Sequence, residues 1–64
     1  MVKVNGKQEA FDGMTVRAML DALQCQTDRV AVERNENIVP KAQYDTVILQ
    51  EGDRIEVVSF VGGG

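Results

Sequence analysis

The run from Arg54 to Val61, RIEVVSFV, is the longest β-rich stretch of the chain, and its Val57-Val58 pair followed by Phe60 makes it apolar on both faces toward its end. β-Branched and aromatic residues suit the pleated surface of a sheet. Apolar character on both faces belongs to a strand placed centrally rather than at an edge. Its neighbours must come from the segments that precede it, and the whole chain has only 64 residues. That is one domain, near the lower size at which a chain buries enough apolar surface to fold without disulfides or a metal. The composition, 44% hydrophobic and 27% charged, is that of an ordinary globule rather than a disordered or fibrous chain.

At the other end, Val2 and Val4 alternate with Lys3, and Asn5-Gly6 follows, a dipeptide whose tolerance of positive φ suits a hairpin turn. Two antiparallel strands are expected, ending near Phe11. A two-residue loop would set Val4 opposite Lys7. A three-residue loop, the register preferred here, groups Val2 and Val4 with Gln8 and Ala10 on one face. Next, Thr15 stands where an N-cap hydroxyl accepts a backbone N–H, and Met14 and Met19 have the spacing of a hydrophobic staple. Val16, Met19, Leu20 and Leu23 then recur at i, i+3, i+4 and i+7, one apolar stripe of a helix that packs under a sheet.

Arg29 to Arg34, RVAVER, sets Val30 and Val32 opposite in direction to Ala31 and reads as a third strand. Asn35-Glu36-Asn37 is a turn into the short run Ile38-Val39. Pro40 ends that run because it has no N–H to donate, and Lys41 to Tyr44 fits a single helical turn. Glu51-Gly52-Asp53 is the turn before the last strand. A helix between an opening hairpin and later strands covers one sheet face, so the predicted class is α+β. A central last strand lies naturally beside the first, in parallel, because the connection between them holds the helix. The expected architecture is therefore a ubiquitin-like β-grasp, a mixed sheet with one main helix packed on one face. Its domain covers residues 1–61, followed by a flexible Gly62-Gly63-Gly64 tail.

Composition narrows function. His and Trp are absent, which removes the usual general base and the commonest metal ligand. No catalytic residue and no metal site are expected, and the chain is not read as a self-contained enzyme. The net charge is -3, with seven basic residues scattered among ten acidic ones, so a phosphate-backbone partner is not expected. An acidic protein meets a basic protein surface more readily. A lone Cys25 forms no internal disulfide, and MVKVNGKQEA lacks the apolar core of a signal peptide, which makes the cytoplasm the expected compartment. No run approaches the roughly 18 to 20 apolar residues of a membrane span, and no membrane partner is expected.

Three glycines bury nothing and are costly to order, so Gly62 to Gly64 do not stabilise the fold. Composition alone leaves them open to reading as a frayed end, a linker or a remnant of cloning. Chemically, a central strand running into unbranched residues presents a thin arm that threads a narrow channel, with a carboxylate at its tip. The reactive group is then the α-carboxyl of Gly64. Oxide is a very poor leaving group, so the carboxylate must first attack the α-phosphate of ATP to become an acyl adenylate. Sulfur or an amine then displaces AMP. The chain has no Gly-rich phosphate loop, Walker-type lysine or Mg²⁺ constellation, which assigns activation to a partner enzyme.

The opening VNGK, the capped TVRAMLDAL and the closing GDRIEVVSFVGGG together resemble the ThiS sulfur carriers of thiamine biosynthesis, over nearly the whole chain. The resemblance implies that an E1-like, ThiF-type adenylyltransferase, using ATP and Mg, adenylates Gly64, which becomes a thiocarboxylate. It further implies a sulfur donor such as a cysteine desulfurase, transfer to a ThiG-type thiazole synthase, and no cofactor bound by the carrier itself. Gly62 and Gly63 thread the partner's active site, and Phe60 and Val61 are candidates to dock it. Two departures stand out. Asn35-Glu36-Asn37 replaces a turn that often contains Gly, and Lys41 follows Pro40 where Arg is also familiar.

The small subunit of molybdopterin synthase shares the fold and the Gly-Gly end. Its relatives tend to be longer, with a Pro-Pro-Val type segment where this chain has Ser59-Phe60-Val61. A ubiquitin-like modifier, joined to lysines through Gly64, uses the same activated carboxyl. A binding module with an inert tail is the third alternative. Cys25 lies near a helix C-terminus between neutral Gln24, Gln26 and Thr27, where nothing favours a thiolate, and reads as a passive cysteine. Tyr44, Arg29 and Arg54 read as packing or solvated charge.

Overall fold

The computed structural model describes residues 1–60. Val61, expected to finish the last strand, and the expected Gly62 to Gly64 arm lie outside the described residues. The elements are β1 (Val2–Val4), β2 (Lys7–Glu9), α1 (Val16–Ala22), β3 (Val30–Arg34), β4 (Asn37–Val39) and β5 (Arg54–Ser59), with 3₁₀ turns at Thr27–Arg29 and Lys41–Gln43. They form one sheet in the order β2-β1-β5-β3-β4. β5 is central, parallel to β1 and antiparallel to β3, and α1 packs on one face, so the α+β β-grasp expectation holds.

The opening hairpin departs from the preferred register. Val4 pairs with Lys7 and Val2 with Glu9, so the loop is two residues long. Gln8 lies opposite Lys3, away from Val2 and Val4. Asn5 and Gly6 have φ of 50° and 83°, the two successive left-handed residues of a type I′ turn, whose twist matches the strands it joins. β2 also stops at Glu9 rather than near Phe11, because the chain turns there: the Phe11 carbonyl accepts the Met14 N–H at 3.1 Å, and the Phe11 side chain packs on the core.

Helix α1 begins as its cap predicts. Thr15 Oγ1 accepts the Ala18 N–H at 3.0 Å. The two N–H groups left over in the first turn find carbonyls in the 44–49 segment: Val16 donates to Val47 O at 3.1 Å and Arg17 to Tyr44 O at 2.9 Å. An Arg17–Asp45 ion pair joins the same parts. Segment 44–49 is thereby laced to α1 and delivers Tyr44 and Leu49, 2% and 0% exposed, into the core with Val16, Met19 and Leu20. Across from them are Val2, Val4, Val30, Val32, Val39 and Ile55 from the sheet. Leu23, the last residue of the stripe, packs against this cluster half-buried.

The helix ends in a Schellman motif: Cys25 N–H donates to Leu20 O at 2.9 Å and Gln24 N–H to Asp21 O at 3.0 Å. Gln24 occupies the left-handed position, φ 60°, where glycine is the usual residue.

At the other end of the sheet, Asp53 is buried beside the start of β5. Its carboxylate accepts from Arg34 Nε at 2.8 Å, Asn35 Nδ2 at 3.1 Å and Gln50 N–H at 2.9 Å. Burial alone pushes this carboxyl up; the hydrogen bonds from Gln50, Arg34 and Asn35, with the Arg34 charge, outweigh it and hold the group below its ordinary value. Asp53 O meanwhile accepts the Lys3 N–H at 2.9 Å. One residue thus fixes the 50–53 turn, the β3–β4 turn and the first rung of β1 against β5.

Candidate functional site

Strand alternation separates the two sides of β5. Ile55 and Val57 face α1, whereas Arg54, Glu56 and Val58 face away. Val58 is 57% exposed and Phe60 56%. Ala31 lies directly across from Val58, and Glu33 across from Glu56. Ile38 of β4, across from Glu33, is exposed as well. β5 is apolar on both faces toward its end, as its central place predicts, but α1 covers only one of them. The uncovered face carries Ala31, Val58 and Phe60, bordered by two directly opposed carboxylates.

The end of β5 is held asymmetrically. From the β1 side the ladder is finished by a side chain: Asn5 Oδ1 accepts the Val57 N–H at 2.8 Å, and Asn5 Nδ2 donates to Val57 O at 3.1 Å. Asn35 does the same at the beginning of β5 from the β3 side, accepting the Arg54 N–H on Oδ1 at 2.9 Å. Beyond Val57 the described hydrogen bonds come from the β3 side, up to Phe60 N–H donating to Arg29 O at 2.8 Å. Phe60 therefore stands in register on the ladder, on the same side as Val58, with its ring largely in solvent. Of the sequence-predicted site residues it is the one the structure places; Val61, Gly62, Gly63 and Gly64 lie outside the described residues.

The sequence did not single out Val58, Glu33 and Glu56, which the sheet places on the same face as Phe60. The available signal was the Val57-Val58 pair, which requires one valine to face each side.

Cys25 is half-buried. Among the described residues its thiol has one hydrogen-bonding contact, Leu23 O at 3.8 Å, and its backbone N–H closes the helix cap. It borders a groove of about 390 Å³ on the helix side of the sheet, shared with Leu23, Val57 and Ser59. Among the described residues, no three His, Cys, Asp or Glu side chains converge on a point where a metal could sit. No described helix is long and apolar enough to cross a membrane.

The ThiS family model matches residues 2–64. The sulfur carrier protein ThiS of Bacillus subtilis is 41% identical over 66 residues, covering 100% of both chains. A thiazole synthase of Paramagnetospirillum magneticum is 47% identical over 62 residues, which are 95% of this chain but 19% of that protein; in a second one, from Magnetococcus marinus, the share is 20%. This chain thus spans about a fifth of the length of those two synthases. A crystal structure of a thiamine biosynthesis protein (ThiS) from Geobacter metallireducens superposes with a TM-score of 0.78 at 31% identity, over 98% of this chain and 97% of that one. From the central β5 to the family model matched over residues 2–64, sequence and fold agree that the chain belongs to the ThiS family.

Proposed function

We propose that this chain is a sulfur carrier, a co-substrate rather than an enzyme, and that it carries sulfur as a thiocarboxylate on the α-carboxyl of Gly64 for thiazole formation in thiamine biosynthesis. The end-to-end similarity to the Bacillus sulfur carrier is the observation that carries this reading. The sequence supplies its physical basis: beyond the central strand, past Phe60 and Val61, come three glycines, without side chains to obstruct a narrow channel.

The Gly64 carboxylate attacks the α-phosphate of ATP within a ThiF-type adenylyltransferase, with Mg²⁺, releasing pyrophosphate and leaving a mixed anhydride. The terminal sulfur of a persulfide on a donor such as a cysteine desulfurase displaces AMP, forming an acyl disulfide. A dithiol reductant then cleaves its S–S bond, leaving as a disulfide and releasing the donor thiol and the thiocarboxylate. A ThiG-type thiazole synthase accepts the sulfur. The synthases that contain a stretch similar to this chain support that last partnership. All of this chemistry belongs to the cytoplasm, where ATP and reduced thiols are available.

The uncovered face docks the activating enzyme. Val58 and Phe60, continued in sequence by Val61, supply the apolar contact, while Glu33 and Glu56 favour a partner surface with basic residues at its rim. Intact-mass measurement tests the reading, after incubation with ATP, Mg²⁺, the adenylyltransferase and a sulfur donor. The expected result is a mass gain of sulfur minus oxygen, lost on deleting Gly64. An unchanged mass with an enzyme that thiolates the Bacillus carrier overturns it.

A further inference from the structure

Asn5 has two features that together point to covalent chemistry. It precedes Gly6, which has no side chain to shield its backbone nitrogen; even a Cβ built there would meet no atom within 4 Å. Its carboxamide is also committed, both ends at once, to the Val57 backbone of β5. We propose that Asn5-Gly6 is a site of spontaneous deamidation, held in check by β5, and that its modification loosens the seam between β1 and β5. The proposal is independent of sulfur transfer.

The step is redox-neutral and consumes one water. The Gly6 backbone nitrogen gives up its proton and attacks Cγ of Asn5. A Gly6 N–Cγ bond forms, the Cγ–Nδ2 bond breaks, and Nδ2 leaves as ammonia with the proton. Water then opens the five-membered imide at either carbonyl. Opening at one side restores the ordinary backbone with Asp at position 5; opening at the other routes the backbone through the former side chain, as isoaspartate.

Each product damages the seam. Aspartate keeps an acceptor for the Val57 N–H but sets a carboxylate oxygen against the Val57 carbonyl, where Nδ2 now donates. Isoaspartate inserts an extra carbon into a two-residue type I′ turn, whose φ values of 50° and 83° and Val4–Lys7 register cannot accommodate it. Asn35 and Asn37 are followed by Glu36 and Ile38, whose side chains hinder the same attack.

Before Cγ can meet the Gly6 nitrogen, both hydrogen bonds to Val57 must break, which slows the native reaction roughly tenfold relative to the open chain. The test ages the full chain in mildly alkaline buffer, with and without denaturing urea, and maps isoaspartate and aspartate by peptide mass spectrometry. Asn5 should convert ahead of Asn35 and Asn37, about tenfold more slowly without urea. Equal rates in the two conditions, or earlier conversion at Asn35 or Asn37, overturn the proposal. The Asn5-modified fraction, separated by ion exchange, should unfold at lower urea than the unmodified chain; an identical midpoint overturns the link to the β1–β5 seam.

Discussion

Replacing Asp53 by alanine removes one carboxylate that three donors share, and the structure allows the loss to be worked out. Gln50 N–H, Arg34 Nε and Asn35 Nδ2 all point at it, at 2.9, 2.8 and 3.1 Å. The Gln50 amide has no freedom to reorient, so leaving it unpaired costs about 1–3 kcal/mol. Arg34 and Asn35 are nearer to solvent and recover water, so each loses only about 0.5 kcal/mol. The sum is about 3 kcal/mol, against roughly 3–10 kcal/mol of total stability for a domain of this length. A shift of that size lowers the melting temperature by roughly 12–24 °C.

Urea unfolding followed by near-UV circular dichroism of Tyr44, the one tyrosine in a chain without tryptophan, reads the core directly because Tyr44 is buried. The acid limb gives a second, independent check. The carboxyl of Asp53 is held below its ordinary value in the fold, so its stabilisation is fully present above the unfolded value of about 3.9. It is lost as pH falls through the lower folded value. The stability gap between the native chain and Asp53→Ala must therefore narrow in strong acid. A midpoint unchanged by the substitution at neutral pH, or a gap that stays constant into strong acid, refutes the reasoning.

Gln24 at φ 60° and Glu36 at φ 72° both hold the left-handed conformation that disfavours a residue with a Cβ. Gln24→Gly should raise stability by about 0.5–1 kcal/mol, the left-handed penalty less the added freedom of the unfolded chain, read as a higher thermal midpoint. Glu36→Gly should do the same at the β3–β4 turn, whereas Glu36→Val should lower the midpoint. Val58→Ser and Phe60→Ala remove exposed side chains and should change the free energy of unfolding by no more than about 0.5 kcal/mol. Both should weaken binding to the adenylyltransferase in calorimetry; unchanged affinity in both would remove the docking face from the proposal. Charge reversal at Glu56, to Lys, should slow association and flatten its dependence on salt, as measured by stopped flow.

The candidate site was legible in part. Phe60 was singled out from the sequence, and the structure leaves it exposed; Val58, beside it on the same face, became visible only once the position of α1 was known. Asp53 shows the same divide. Its Gly-Asp context was recognisable as a family feature, but its role depends on Arg34 and Asn35, which lie 19 and 18 residues away.

By itself, the sequence determined the kinds of element and most of their limits, because these rest on local chemistry: the Thr15 hydroxyl three residues from the N–H it caps, the 3.6-residue recurrence of Val16, Met19 and Leu20, the missing N–H of Pro40. It also determined that β5 is central, since its own apolar content demands neighbours. The order of residues left two registers open for the opening hairpin; the type I′ turn at Asn5-Gly6 sets the two-residue loop, and Val57, 52 residues away, secures it by holding both ends of the Asn5 side chain. Tertiary structure alone decided which face of β5 remains uncovered, because a strand's alternation distinguishes two faces without saying where the single helix lies. Local interactions act between neighbours along the chain and can be read from their order; the hydrogen bonds that pin β5 join residues that become neighbours only in the fold.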